Sequence, residues 1–183
     1  MSGKNLSSPR GLSRSDTNGR ATFKESGGQK GMKITTKLFG QIEIDEDKLI
    51  KFPQGIIGFP DLKDFLLVHD SESEGGIRWM QSVQEPAFAM PVIDPLIVMP
   101  DYNPCIEDDL LVPLGDIKEE NTLVLVTITV PHEIENMTVN LKAPIIINGE
   151  NRMANQIITD DEKYVVKFPI YQILKDNMER AGE

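Results

Sequence analysis

Three side chains in this 183-residue sequence are of the types that ligate metals or pair a nucleophile with a base: His69, His132 and Cys105. Zinc sites of protein origin show short ligand spacings such as C-x-x-C, H-x-x-x-H or H-E-x-x-H, and none of these is present. A Ser/His/Asp triad needs no sequence proximity, but the G-x-S-x-G elbow that would announce one is also missing. Gly55 and Gly58 in QGIIGFPDL lack the G-K-[ST] of a phosphate loop and open no long helix, so they read as turn glycines with positive φ. Carboxylates cluster at Glu107–Asp109, Glu119–Glu120 and Asp160–Glu162, without the D-x-[DN]-x-[DN]-G pattern of a calcium loop. These runs sit between apolar segments and read as solvated loops. The residue chemistry gives no reason to expect an enzyme, a metal or a cofactor. It leaves protein–protein recognition as the better fit for an acidic surface.

Charge is divided along the chain. Residues 1–31 hold six basic and two acidic side chains, a balance of +4, which leaves 13 basic and 27 acidic residues, or −14, in 32–183. A body this acidic repels phosphate backbones, which argues against nucleic-acid binding. Residues 1–31 are rich in Ser, Gly and Asn, with Phe23 as the only aromatic, and bury too little apolar surface to offset ordering entropy. They read as a disordered leader, tag or mis-called start, dispensable for folding, with the domain beginning at Met32. A single cysteine excludes an intramolecular disulfide and fits a reducing compartment. No apolar h-region follows the basic N-terminus, and the most apolar stretch, Ala87–Met99, is broken by Pro91, Asp94 and Pro95. The expectation is a cytoplasmic protein with no membrane contact.

From Met32 the periodicity is that of β-strands. Lys33–Phe39 and Gln41–Ile44 alternate around Gly40, Phe65–Val68 is a compact apolar strand, and Ile77–Val83 alternates. Thr122–Val130 (TLVLVTITV) is β-branched and apolar enough for a central strand. Thr138–Ile147 and Gln156–Thr159 flank a glycine-containing loop as a hairpin, and Tyr164, Val166 and Phe168 alternate up to Pro169. Helical spacing is confined to Pro169–Arg180, with one further turn at Glu107–Leu111. Without βαβ alternation a parallel sheet is not expected, and this many short strands indicate a barrel or sandwich.

Four segments in order, FPQGIIGFPDLKDFLL (52–67), IRWMQSVQEPAFAMPVIDPLIVMPDY (77–102), TLVLVTITVP (122–131) and NLKAPIIIN (140–148), resemble the FliW family. The last is similar to the family's Asn-Leu-x-Ala-Pro-Ile-Val-Ile-Asn signature, and Asp94-Pro95 and Asp101-Tyr102 match its D/N-P and D-Y positions. The chain departs from the family pattern at Pro91, where an aliphatic strand residue is usual; a proline removes a ladder donor and suggests an edge or broken strand. The leader has no counterpart in the resemblance.

The resemblance implies a mainly β, single-domain antiparallel pseudo-barrel with a C-terminal capping helix. It implies two partners: a CsrA-type translational regulator, whose repression of flagellin mRNA such proteins relieve, and flagellin, which competes for them. The alternatives are a barrel-type nucleic-acid-binding module and an uncharacterised hydrolase. Partner-binding candidates are Phe59 and Phe65 in the Phe/Gly/Pro-rich segment 56–65, with a core-packed turn as the other reading and the favoured one for Phe65. Asp94 and Asp101 would meet basic groups or cap turns. Tyr102 would be an interface residue or a core ring with a bonded hydroxyl. The acidic runs Glu107, Asp108, Asp109 and Asp160, Asp161, Glu162 are placed to act on RNA held by the regulator.

Overall fold

The computed structural model describes residues 32–69 and 76–182; the expectations for the leader fall outside them. Alternation at the start of the domain folds β1 (Met32–Thr36) and β2 (Gly40–Ile44) into an antiparallel hairpin. Gly40 closes it at φ +64, a left-handed conformation that favours glycine. The Thr36 hydroxyl donates to Gly40 O at 3.0 Å and accepts from Phe39 N at 2.9 Å.

The remaining strands are β3 (Ile50–Lys51), β4 (Asp64–Val68), β5 (Arg78–Ser82), β6 (Ala89–Ile93), β7 (Thr122–Thr129), β8 (Thr138–Val139), β9 (Ile145–Asn148), β10 (Ala154–Gln156) and β11 (Phe168–Pro169). They form a nine-stranded antiparallel sheet in the order β10-β9-β7-β6-β5-β4-β3, with β8 pairing both β7 and β11. The longest strand, β7, is its spine. Its first half pairs β9, its end pairs β8, and Val126 and Thr127 pair β6.

The expected mainly β antiparallel architecture with a C-terminal helix is present, and the sheet does not close into a barrel. The end strands meet at a single parallel bridge, Lys51 to Met153, where Lys51 N donates to Arg152 O at 2.9 Å. On one side Pro53 follows closely and has no N–H to extend a ladder, and on the other Arg152 is left-handed at φ +59. Pro91 neither breaks β6 nor makes it an edge. It pairs with Trp79 of β5, while the ladder to β7 begins only at Val92, so the missing donor costs little. The segment Tyr164–Phe168 is not a continuous strand: Val165 and Val166 are exposed, and only Phe168–Pro169 pair, with β8. The expected strand 138–147 is likewise split by the Asn140–Pro144 segment into β8 and β9.

Apolar side chains gather in three clusters. One lies around Phe52, Phe65, Met80, Leu125 and Ile145, and a second around Ile93, Val126, Leu141, Tyr164 and Ile170. A small third holds Leu114, Ile146 and Ile157. Among the described residues the α-helices are α1 (Asp108–Leu111) and α2 (Tyr171–Ala181). The second is amphipathic and lays Leu174, with Ile170 just before it, onto the second cluster, capping that end of the sheet. Among the described residues no helix is long and apolar enough to cross a membrane.

Candidate functional site

Two surface features collect the residues singled out above. The first is an apolar groove of about 440 Å³. Its lip is the turn Ile56–Phe59, in which Phe59 N donates to Ile56 O at 2.9 Å and Ile56 N to Phe59 O at 3.3 Å. Both flanking glycines are left-handed, Gly55 at φ +71 and Gly58 at φ +86, and a Cβ on Gly55 would run into the Pro60 carbonyl. Gln156 of β10 ties this lip to the segment before β9. Its Oε1 accepts from Ile57 N at 3.1 Å and its Nε2 donates to Ala143 O at 3.3 Å. The floor is set by the buried Gln81, whose amide nitrogen donates to Pro86 O at 3.1 Å and Phe88 O at 3.0 Å. That fixes the loop carrying Phe88, whose ring packs against Phe59 at 4.7 Å between centroids. Ile57, Phe59, Ile158 and Val166 are all about half exposed along the groove. Of the lining residues only Lys142 is charged.

Phe59 therefore lies on the surface, with 47 % of its area exposed, whereas Phe65 is fully buried. The Phe65 ring meets Phe52 edge-on at 5.3 Å in the first core cluster, so its place among partner-contact residues is corrected: it is a core residue. Lys142, Gln156, Phe88 and Ile158 were missed by sequence reasoning. No local signal marks them, because the groove is assembled from segments distant in sequence.

The second feature is an acidic rim. Thr159 Oγ1 lies 3.4 Å from Cys105 O as its hydrogen-bond donor, which brings the starts of the runs Glu107–Asp109 and Asp160–Glu162 to the same place. Asp101 joins them through Lys163, at 2.9 Å. That contact holds the Asp101 carboxyl below its usual range, chiefly by the hydrogen bond from Lys163, and raises the Lys163 ammonium correspondingly. Asp161 is partly committed to its own loop, its carboxylate accepting from Lys163 N at 2.9 Å. Asp108 and Asp109 are exposed in the first turn of α1, and Glu107 precedes it without a side-chain capping bond.

Beneath this rim Tyr102 and Tyr164 pack at 4.6 Å between centroids. The Tyr102 hydroxyl donates to Leu141 O at 2.8 Å, and Tyr164 accepts from Asn103 N at 2.9 Å. Tyr102 is thus a core ring with a bonded hydroxyl. Asp94 stands apart from the rim and caps a 3₁₀ turn, accepting from Leu96 N at 2.9 Å. Asn148 is buried and holds Leu114 O at 2.9 Å and Asp116 O at 3.2 Å, a structural role. His69, His132 and Cys105 are all exposed, and among the described residues no group of three His, Cys, Asp or Glu side chains is placed to hold a metal ion.

Burial raises the Tyr102 hydroxyl far above the usual phenol range. A group whose folded-state pKa is raised contributes stability that is complete below its unfolded value and is lost as pH rises beyond it. The stability advantage of the wild type over Tyr102→Phe is therefore expected to be constant below about pH 9 and to shrink progressively as pH rises past the ordinary tyrosine value near 10 towards the raised folded-state value. Urea midpoints at a series of pH values measure it; a constant difference would show that the hydroxyl does not resist ionisation in the folded state.

Comparison with known proteins places this architecture. The family model described as FliW protein matches residues 33–170. A flagellar assembly factor FliW from Lachnoclostridium phytofermentans is 50 % identical over 143 residues, spanning 77 % of this chain and 92 % of the relative. Another from Lachnospira eligens is 48 % identical over 147 residues, 79 % of this chain and 97 % of that one. A crystal structure of the flagellar assembly factor FliW superposes with a TM-score of 0.71 at 34 % identity, covering 76 % of this chain and 97 % of that chain. With the family model spanning residues 33–170, relatives up to 50 % identical and a solved FliW structure superposing on its fold, this chain belongs to the FliW family of flagellar assembly factors.

Proposed function

We propose that this chain is a non-enzymatic, cytoplasmic flagellar assembly factor that binds a CsrA-type translational regulator and flagellin, and by binding the regulator relieves repression of flagellin mRNA. The observation that carries the reading is the family match across residues 33–170, joined to a surface with an apolar groove and a separate acidic rim. Two chemically different surfaces suit a protein that exchanges two partners. The rim suits the regulator, because an RNA-binding protein presents basic groups. The balance of −14 in residues 32–183 weighs against the nucleic-acid-binding alternative, and the relatives' description as assembly factors weighs against a hydrolase.

The test uses the purified full chain immobilised and challenged with CsrA, with flagellin, and with both. Saturable capture of each alone is expected, together with release of CsrA as flagellin is added. RNA retained in a gel shift without CsrA, or failure to capture either protein, would overturn the reading.

A further inference from the structure

We infer that Asn148–Gly149 is a covalent modification site guarded by the fold: held unreactive in the folded domain, it deamidates when the end of β9 opens, and the product cannot rebuild the anchor it came from. An asparagine followed by glycine is the step most prone to this reaction, because glycine has no side chain to hinder the approach of its nitrogen. The Gly149 nitrogen, once its proton is lost to base, attacks Asn148 Cγ. The Cγ–Nδ2 bond breaks, and ammonia leaves. Water then opens the cyclic imide at either carbonyl, giving aspartate or isoaspartate. The net change takes asparagine and water to an acid and ammonia, so solvent water is the only co-reactant. The chain contains two Asn-Gly steps, and the other, Asn18–Gly19, lies outside the described residues.

Each group the reaction needs is committed in the folded chain. Gly149 N donates to Asn121 O at 2.7 Å, so its proton faces a carbonyl and not solvent base. The leaving nitrogen, Asn148 Nδ2, donates to Leu114 O at 2.9 Å and Asp116 O at 3.2 Å, while Oδ1 accepts from Glu150 N at 2.9 Å. Asn148 is 1 % exposed, and its main chain is pinned twice: N donates to Met153 O at 2.9 Å, and O accepts from Arg152 N at 2.8 Å. An extended backbone held at both groups resists the rotation that would bring the Gly149 nitrogen onto Cγ. Gly115, at φ +81, makes room for the amides. A Cβ there would stand 3.0 Å from Asn151 Nδ2, the second donor to Leu114 O. The same contacts decide the fate of the product. An ionised aspartate at position 148 offers no donor to Leu114 O or Asp116 O and would bury a carboxylate against both. Isoaspartate lengthens the main chain by one carbon where β9 enters a turn already strained at Arg152, φ +59. The segment that either product releases follows α1, which carries Asp108 and Asp109 of the acidic rim.

The full chain is aged at mildly alkaline pH, in buffer and in urea side by side, and peptide mapping by mass spectrometry distinguishes Asn, Asp and isoaspartate at both steps. In urea Asn148 and Asn18 are expected to react within about twofold of each other, since glycine follows both and no fold protects either. In buffer Asn148 is expected to react about a hundredfold more slowly than in urea, because the reaction then waits on local opening. The aged urea sample is next diluted to refold, beside an unaged sample that sets the full yield, and the folded fraction is isolated by size exclusion. That fraction is expected to hold less than about a tenth of the modified position 148 found in the misfolded remainder. Asn148→Asp, which reproduces one product, is expected to lower the urea midpoint by about 1 M or to yield no folded protein. The comparison of buffer with urea needs no variant and stands whether or not Asn148→Asp folds. Similar Asn148 rates in buffer and urea overturn the inference. So does an Asn148 that lags far behind Asn18 in urea, which would place the protection in the local sequence. A folded fraction as rich in modified position 148 as the remainder, or a wild-type midpoint for Asn148→Asp, overturns it equally, because the product would then fit the fold.

Discussion

Replacing Phe65 by alanine is expected to destabilise the domain by about 3–5 kcal/mol, while Phe59→Ala costs less than about 1.5 kcal/mol. The two phenylalanines sit six residues apart in one Phe/Gly/Pro-rich segment, and the sequence offers each as a partner contact or a core-packed turn, favouring the core for Phe65. Their surroundings separate them. Phe65 is fully buried on β4, edge-on to Phe52 at 5.3 Å and within 6.4 Å of Phe88, so truncation leaves a cavity walled by two other rings. Phe59 already has about half its ring in water and gives up mainly its contact with Phe88. For a domain with a total stability on the order of 5–15 kcal/mol, the Phe65 loss is a large share. It corresponds to a drop of roughly 6–20 °C in melting temperature for a chain of this size. The functional effects should run the other way, with Phe59→Ala weakening groove binding in a protein that still melts cooperatively near the wild-type temperature. Thermal unfolding followed by circular dichroism decides the matter. A melting shift under about 3 °C for Phe65→Ala would mean that its ring is not part of the core.

The same contrast shows what was legible in the sequence. Period-two alternation and β-branched content located the central strand β7 and the hairpin around Gly40, and helical spacing located α2; the strand expected at Gln156–Thr159 lies instead at Ala154–Gln156, starting inside the expected loop. These signals are local. Pairing is not. Many short strands indicate a barrel or sandwich without saying how far the sheet closes, and Pro53 and the left-handed Arg152 leave one bridge between its ends. Alternation at Tyr164, Val166 and Phe168 looked like a strand, but only Phe168 and Pro169 have a partner edge, and Tyr164 is buried as the ring beneath the acidic rim. Site residues divide on the same line. Phe59 stood out because aromatic, glycine and proline residues crowd its turn. Lys142 did not, because a lysine is notable only when the surface around it is known to be apolar. That surface comes from Ile57, Phe88, Ile158 and Val166, which no window of sequence contains together.

The acidic rim carries the other large expectation. Neutralising Glu107, Asp108, Asp109, Asp160, Asp161 and Glu162 together to their amides is expected to weaken inhibition of RNA binding by CsrA about fivefold at physiological salt, and more at low salt. The motive is placement as well as charge: the Thr159–Cys105 contact ties together the segments from which the two runs start. A unit charge about 8 Å from a phosphate in water is worth roughly 0.5 kcal/mol before screening, and screening at physiological ionic strength cuts this by about a factor of three. Six such charges then sum to about 1 kcal/mol, the size of effect stated, provided the rim lies within a Debye length of the RNA path. Amides keep the hydrogen-bonding oxygens, so the Asp161 contact to Lys163 N is retained and the loops keep their shape. Asp101 is left intact, since its pairing with Lys163 holds the two loops together. The experiment is a competition titration of labelled RNA on CsrA against wild type and variant at about 0.05 M and 0.3 M salt, with CsrA affinity measured separately so that lost inhibition is not mistaken for lost binding. If charge acts on the RNA, the gap between wild type and variant narrows at the higher salt. Equal inhibition at both salts by a variant that still binds CsrA would remove the electrostatic contribution and leave steric exclusion or a shape change in CsrA to account for relief of repression.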